Sequence, residues 1–342
     1  MERTMIGIMV DGKSSRSTTL KLYERHNQLP IRLIAFSADD IMLNKMAVRG
    51  LYQEGKLLKE KVFPFPCVVY NRSFHKHDKI AQVMQVLLGE NKFFNVMTRL
   101  NKWEVYNLLY QTNLKQYIPN TLLFHREQIL KQLDLYHQIY VKPIYGSQGN
   151  KVYRLARNEA GDVVISLHTH YPSYTLKKND AVKKMEQLIG RKTYIIQQGI
   201  KFQQLQDSNF DIRALVQKNI EGKWTVTVIT SRIAYSHCFN TSLCTAVYNS
   251  SELLTKLYSE KQRDEILQTI HYVSIQAAQE IEYKYGLMGE LSVDFALDQE
   301  SKLWIIEVNG KPQKSIYTGV KGLKHKHYLY QNPLGFAYYL SQ

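Results

Sequence analysis

Cysteine is scarce in this sequence: Cys67, Cys238 and Cys244 are the three in 342 residues. An odd number with no metal-ligand spacing argues against a disulfide framework and suits a reducing, cytoplasmic setting. No acid–histidine set accompanies Cys238 or Cys244, so neither is expected to act as a thiol nucleophile. Long apolar runs are missing too, and nothing approaches the roughly 18 consecutive apolar residues of a membrane helix. The opening MERTM lacks the apolar stretch and cleavage pattern of a signal peptide. No membrane partner is therefore expected. Internal repeats and low-complexity segments are also lacking.

Acidic residues are in deficit, 30 Asp and Glu against 45 Lys and Arg, for a net charge of +15. Such a field attracts anions: ATP, acidic substrates, anionic polymers or nucleic acid. The basic residues are scattered, with no arm of five or more like charges. This favours an ordinary charged surface around a phosphate site, and nucleic acid is not an expected partner.

What is present is an ordinary globular composition, 44% hydrophobic and 22% charged. The length exceeds what one core supports, so two or three packed subdomains are expected. Short apolar runs at Thr4–Val10, Ile31–Ser37 and Cys67–Tyr70 read as strands. With helical stretches near Thr18–Asn27 and Ile80–Leu88 they predict a small parallel α/β domain over about residues 1–95. Trp103–Tyr110 reads as a helix with Asn101 as its N-cap. From about Pro119 the pattern changes to strands at Ile139–Pro143, Val152–Leu155, Val163–Leu167 and Tyr194–Gln198. Asp211–Gln217 and Trp224–Ser231 read as an antiparallel pair, Ser251–Tyr285 as containing one long helix, and an irregular tail follows two last strands. The fold class is α+β.

Those last strands, Leu291–Leu297 and Leu303–Asn309, hold the most informative residues. Side chains alternate between faces, so placing both apolar sets on one face fixes the register. Val293 then pairs with Val308 and Phe295 with Ile306. Asp294 falls opposite Glu307, with Asn309 two residues along on the same face. Directly paired side chains have Cβ atoms about 4.5–5.5 Å apart, and two carboxylates that close repel unless a cation or proton joins them. Oxygen ligands backed by an apolar sheet suit Mg²⁺ completed by nucleotide phosphates and water.

Upstream, Lys142 ends a strand just before Tyr145-Gly146-Ser147-Gln148-Gly149. Small residues there let backbone N–H groups turn toward phosphate oxygens. Lys102, at a helix start, is a second phosphate candidate, and the strand ending Gln197-Gln198-Gly199-Ile200 offers backbone to an adenine edge. Gly7–Ser14 formally fits G-x-x-x-x-G-K-[ST], but Ile8, Met9 and Val10 read as the strand itself, leaving too short a phosphate loop. His75, His77 and Asp78, and His168 with His170, read as polar-loop residues in preference to metal pairs. Arg72, just after a strand, is placed to reach the cleft and bind a substrate carboxylate.

In this order the pieces resemble the ATP-grasp superfamily: Asn101-Lys102, Lys142 with its GSQG loop, the Gln197–Ile200 hinge, Asp211-x-Arg213, then Asp294 and Glu307-x-Asn309. The phrases NKWEVYNLL, KPIYGSQGNKVYRL, YIIQQGI, FDIRALVQKN and IIEVNGKP are similar, more narrowly, to the YheC/YheD endospore coat-associated family of spore-forming Firmicutes. The resemblance implies two α+β subdomains sandwiching ATP after a Rossmann-like pre-ATP-grasp domain. The division is 1–95 and 96–342, with a lid at about 115–195 and a C-terminal subdomain at about 196–342.

The resemblance further implies an ATP- and Mg²⁺-dependent carboxylate–amine ligase forming ADP through an acyl phosphate, with small-molecule or peptide substrates. Spore-coat proteins would be partners and envelope or coat peptides targets. Lys102, Lys142, Gly146, Ser147, Gly149, Gln197, Gln198 and Ile200 would bind ATP; Asp294, Glu307 and Asn309 would hold Mg²⁺. Arg213 or Arg232 would steady the transferring group, and Asn240 would lie near the substrate. Two departures are visible. Gln197 stands where many ATP-grasp enzymes have a carboxylate, and TSLCTAVYN follows Asn240 where members often have Gly-Gly. A non-catalytic, ATP-binding coat protein on the same fold is the alternative.

Overall fold

The computed structural model describes residues 4–74, 78–324 and 326–342. His75 and His77 lie outside the described residues. The strands fall into three sheets, in chain order. The first comprises β1 (Thr4–Val10), β2 (Ile31–Ser37), β3 (Ile41–Met42), β4 (Ala47–Glu54), β5 (Leu57–Pro64), β6 (Val68–Asn71) and β7 (Phe93–Phe94). Its centre, β2-β1-β6-β7, is parallel, and β4 adds antiparallel to β2. Parallel strands are covered on both faces, which is why β1 is an unbroken apolar run. Ile6 and Ile8 pack with Leu20 and Tyr23 of α1 (Lys13–His26), while Met9 packs with Ala81 and Met84 of α2 (Asp78–Leu88).

Gly7 lies within β1, where a β-carbon would come within 2.7 Å of both the Phe36 and Pro66 rings. The formal P-loop pattern is therefore a strand running into a helix, with no phosphate cradle. The β4–β5 hairpin has no counterpart in the sequence expectations. Its β5 exposes most of its residues and shows little apolar alternation.

The second sheet has the order β12-β11-β10-β9-β13-β8 and is antiparallel throughout. It is built from β8 (Thr121–Leu123), β9 (Gln138–Pro143), β10 (Tyr153–Arg157), β11 (Val163–Leu167), β12 (Tyr174–Leu176) and β13 (Tyr194–Gln198). The helix α3 (Lys102–Tyr110) precedes it, and Asn101 caps α3 by accepting from Trp103 N at 2.9 Å. Helices α4 (Arg126–Tyr136) and α5 (Lys178–Ile189) bury Ile129, Leu133, Ala181 and Met185 against its apolar face.

The third sheet contains β14 (Gln204–Leu205), β15 (Ser208–Lys218), β16 (Trp224–Ala234), β17 (Cys244–Asn249), β18 (Glu290–Leu297) and β19 (Leu303–Asn309). Its order is β17-β16-β15-β18-β19, with β14 on β15. One face, carrying Ile212, Ala214, Val216, Leu291 and Val293, packs on α3 and on α7 (Glu260–Tyr285). The other presents Asp211, Arg213, Leu215 and Gln217 of β15 beside Asp294, Ser292 and Glu290 of β18. Period-2 alternation thus places every polar strand residue of interest on one side.

The long helix expected within Ser251–Tyr285 is α7, which starts at a Ser259/Gln262 capping box and is preceded by a short α6 (Ser250–Leu254). The expected irregular tail is also corrected. After the short α8 (Ser315–Thr318), α9 (Tyr328–Ser341) runs through Pro333 and buries Leu329, Leu334 and Phe336 against the first sheet. Among the described residues no helix is long and apolar enough to cross a membrane.

Candidate active site

Strands β18 and β19 pair Val293 with Val308 and Asp294 with Glu307, the register expected from alternation. Beyond that point a bulge intervenes, and Phe295 pairs with Ile305, not with Ile306. The extra residue lets Ile305 stay buried while Ile306 joins Glu307 on the wall of the cleft. Asp294, Glu307 and Asn309 line that cleft together.

Two more strands extend the polar face. Arg213 of β15 stands opposite Asp294 and donates to both its oxygens at 2.6 Å, from Nε and Nη2. Arg232 of β16 stands opposite Asp211 and grips it through Nε at 2.9 Å and through Nη2, which also reaches Asp294 Oδ2 at 3.2 Å. Burial alone would raise the Asp294 carboxyl; Arg213 and then Arg232 overcome this and hold it below the usual range. Asp294 is thus not open to solution but lies in a buried guanidinium–carboxylate ladder.

The oxygen set still suits a hard cation. A carboxylate offers about four acceptor positions, and Asp294 uses three. Glu307 Oε1 meets Lys102 Nζ at 3.0 Å, leaving Oε2, and Asn309 adds an amide oxygen. Two carboxylates and an amide, completed by phosphate oxygens and water, match what Mg²⁺ accepts.

The opposite wall comes from the second sheet. Lys142 of β9 donates to Gln197 Oε1 at 2.6 Å, and Gln197 in turn donates to Thr121 Oγ1 at 3.1 Å. Gln197 therefore positions Lys142, while Gln198 accepts from Asn120 N at 3.2 Å through its side chain. Burial, with repulsion from Lys102, pushes the Lys142 ammonium down to about 8 against the pull of Glu307. Gly199 N donates to Gln138 O at 2.9 Å, an approach so close that a β-carbon would lie 2.5 Å from that oxygen. Beyond it, Ile200 joins Tyr140, Val152, Phe202, Phe210 and Ile306 as the apolar part of the lining.

Gly146, Ser147 and Gly149 cross the mouth of the cleft, with Gly149 at φ +66°. Lys102 Nζ donates to Gly146 O at 3.0 Å. Asn240, expected near the substrate, lines the cleft and ties down this loop. Its Nδ2 donates to Gln148 O at 3.1 Å and meets His168 Nδ1 at 3.0 Å, and its Oδ1 accepts from Ser242 N at 3.0 Å. In the segment that departs from the Gly-Gly often found in the family, Thr241 Oγ1 donates to Asp211 Oδ2 at 2.7 Å.

Arg72 already engages a carboxylate of the protein itself. It donates to Tyr70 OH at 2.9 Å and to the buried Glu290 at 2.8 Å, and Lys314 meets the other Glu290 oxygen at 2.6 Å. Gln217 also donates to Glu290, at 2.8 Å, and Tyr70 donates its hydroxyl to it. Sequence reasoning missed Ser292, Glu290 and Lys314. The spacing Glu290, Ser292, Asp294 on one strand was the available signal.

Comparisons with known proteins give the family and the fold. The YheC/D-like ATP-grasp family matches residues 90–340. The chain belongs to that family. It is 26% identical over 311 residues to the endospore coat-associated protein YheD of Bacillus subtilis (strain 168), covering 87% of this chain and 68% of that one. With YheC of the same organism it shares 24% over 336 residues, 94% of this chain and 91% of the relative. The fold is that of D-alanyl-alanine synthetase A from Vibrio cholerae O1 biovar eltor str. N16961. The TM-score is 0.56 at 16% identity, with 99% of each chain covered. A second structural neighbour is the ATP-grasp ligase PsnB complexed with minimal precursor, Mg and ADP, with a TM-score of 0.56 at 12% identity, covering 97% of this chain and 98% of that one.

Proposed function

We propose that this chain is an ADP-forming carboxylate–amine ligase dependent on ATP and Mg²⁺. The observation supporting this most is the convergence on one cleft of Asp294, Glu307 and Asn309 with Lys102, Lys142, Arg213 and Arg232, beneath a glycine loop. In this reading residues 1–95 form the preceding domain, about 115–195 the lid, and about 196–342 the C-terminal subdomain.

The apolar part of the lining takes the adenine, with the hinge backbone at Gln198–Ile200 reading its edge. Lys102 and Lys142 hold the phosphates, and the Gly146–Gly149 loop excludes water. A divalent cation held by Asp294, Glu307 and Asn309 supplies charge neutralisation at the phosphates. Arg213 and Arg232 are fixed by Asp294 and Asp211, so no reorganisation is needed when charge develops nearby. A substrate carboxylate oxygen attacks the γ-phosphorus as the bond to the β-phosphate oxygen breaks and ADP leaves. An amine then attacks the acyl carbon, phosphate departs with the bonding electrons, and the amine gives up a proton. Such phosphoryl transfer needs chiefly positioning and charge neutralisation.

Calorimetry with ATP and Mg²⁺, followed by a screen of carboxylates and amines for ADP release, tests this. Binding of nucleotide with at least one pair that releases ADP is the expected result. A binding-only coat protein is the second reading, supported by the engagement of three Asp294 acceptor positions by two arginines. Nucleotide binding without release from any pair would favour it. The relatives' names, endospore coat-associated proteins, support a role at the spore coat; action from the cytoplasm on coat or envelope peptides is the finer part of the same proposal.

A further inference from the structure

A second cavity, of about 750 Å³, adjoins the nucleotide cleft. The two share a wall that includes the Gly146–Gln148 loop, Arg213, Arg232, Glu307 and Asn309. It therefore opens where a γ-phosphate would sit, and it runs back to the first sheet. We infer that this cavity seats an acidic, extended peptide-like chain. One carboxylate lies at the Arg213–Arg232 end, and a second anionic group is held deeper, at Arg72, Arg99, Lys314 and Ser292. This rests on the nucleotide reading of the first cleft and names the substrate class that goes with it.

Charge is the first support. Six basic side chains line the cavity, Arg72, Arg99, Arg213, Arg232, Lys311 and Lys314, against one acid, Glu307. The acids behind the wall do not balance them. Arg213 and Arg232 are matched by Asp294 and Asp211, and Lys311 by Asp11 at 2.7 Å. Arg72 and Lys314, however, share the single carboxylate of Glu290. Arg99 stacks over the Tyr145 ring at 4.8 Å, a contact that supplies no countercharge. The deep half thus keeps an excess of positive charge inside a wall of low polarisability, where an anion is attracted more strongly than at an open surface.

An orphaned hydroxyl is the second. Ser292 is fully buried, lines the cavity, and its Oγ has no hydrogen-bond partner. Buried polar groups are normally satisfied, so an exception calls for a missing partner. Ser292 sits on β18 between Asp294 at the reaction end and Glu290 beneath the basic cluster. A ligand oxygen there would accept its proton.

Size is the third. Pockets for drug-sized ligands span roughly 300–1,000 Å³, and a single amino acid would leave most of this one empty. Leu22, Tyr23, Phe74, Ile316 and Tyr330 add apolar surface along which the methylenes of a longer chain would lie.

Titration of triglutamate, triglutamine and free glutamate into the full chain, held in saturating Mg²⁺ and a non-hydrolysable ATP analogue, tests the assignment. Triglutamate should bind about tenfold or more tighter than either control, a difference expected of charge-assisted contacts. Arg99→Gln and Ser292→Ala should each weaken triglutamate about fivefold or more, with circular-dichroism melting confirming the fold and Arg72→Lys as a third, conservative variant. Equal binding of triglutamate and triglutamine, tighter binding of an oligothymidylate of equal charge, or insensitivity to all three variants would overturn it. The analogue is titrated separately. Triglutamate binding that survives a failure to bind nucleotide would sink the ATP reading and leave the acidic-chain site standing.

Discussion

The Asn240 amide occupies the space that a β-carbon at Gly149 would need. Gly149 also sits at φ +66°, in the left-handed region that side chains with a β-carbon disfavour. The Gly146–Gly149 loop is therefore held by Asn240, which passes over a bare backbone and grips the neighbouring Gln148 carbonyl. Gly149→Ala should raise the KM for ATP about tenfold or more, through a loop that no longer seats. Asn240→Ala should do so too by removing the tether. Steady-state ADP release at varied ATP checks both, and an unchanged KM in both variants would contradict the latch.

Glu307 combines a position opposite Asp294 with an ion pair to Lys102. Replacing it leaves Lys102, whose side chain is 15% exposed, still donating to Gly146 O at 3.0 Å. Glu307→Gln should fold normally yet lower turnover by about 10²-fold or more, the usual cost of losing one electrostatic element at a transition state. Near-normal ADP release from the purified variant would remove Glu307 from the site.

Lys13 closes the formal P-loop pattern, yet it starts α1 and points toward Asp40 at 4.0 Å with its side chain 57% exposed. Lys13→Ala should leave ATP affinity unchanged by calorimetry. Abolished binding would restore the P-loop.

The centre of the site was legible because one physical rule sufficed. Alternation of Val293 and Val308 with Asp294 and Glu307 permits only one register that buries the apolar face. The bulge was not legible, because Ile305 and Ile306 are adjacent and equally apolar, so sequence cannot say which one turns inward. The break between α6 and α7 did have a signal, Ser259 followed by Gln262, but it was masked by continuous helical composition on both sides. Pro333 and Gly335 hid α9, whose helicity comes from packing its apolar face on the first sheet. The Glu290 cluster joins residues 218 and 24 positions away, Arg72 and Lys314. Only the folded chain brings those charges together. Gln197 was identified as a hinge residue, but its grip on Lys142 depends on pairing across β9 and β13, which no local pattern announces.

Asp294 tests the buried ladder. Removing its charge strips Arg213 of its two-pronged partner and Arg232 of one of its two carboxylates in a largely buried ladder, so Asp294→Asn should destabilise the fold by about 3–5 kcal/mol. The carboxyl is held below its ordinary range, so its stabilising effect is complete above an unfolded-state value near 3.9. It fades as pH falls through the lower folded-state value. Denaturant titrations should therefore show a gap between wild type and variant that is constant near neutrality and closes in acid. A gap that widened in acid would mean the carboxyl is not held by the two arginines.

Lys142 makes nucleotide binding depend on pH. In the free protein burial and Lys102 push its ammonium down to about 8, so a sizeable fraction is neutral at pH 8.5. Phosphate oxygens brought against Lys142 favour the charged form and raise that value. Between the two values, binding must therefore take up a proton, and affinity must fall as pH rises through 8 and beyond. Calorimetry at pH 8.5 in two buffers of different ionisation enthalpy should show an uptake approaching one proton per ATP bound, shrinking toward zero by pH 6.5. Lys142→Arg keeps a charge at every pH, so it should bind ATP without that proton linkage. A wild-type enthalpy independent of the buffer at pH 8.5 would place Lys142 away from the phosphates.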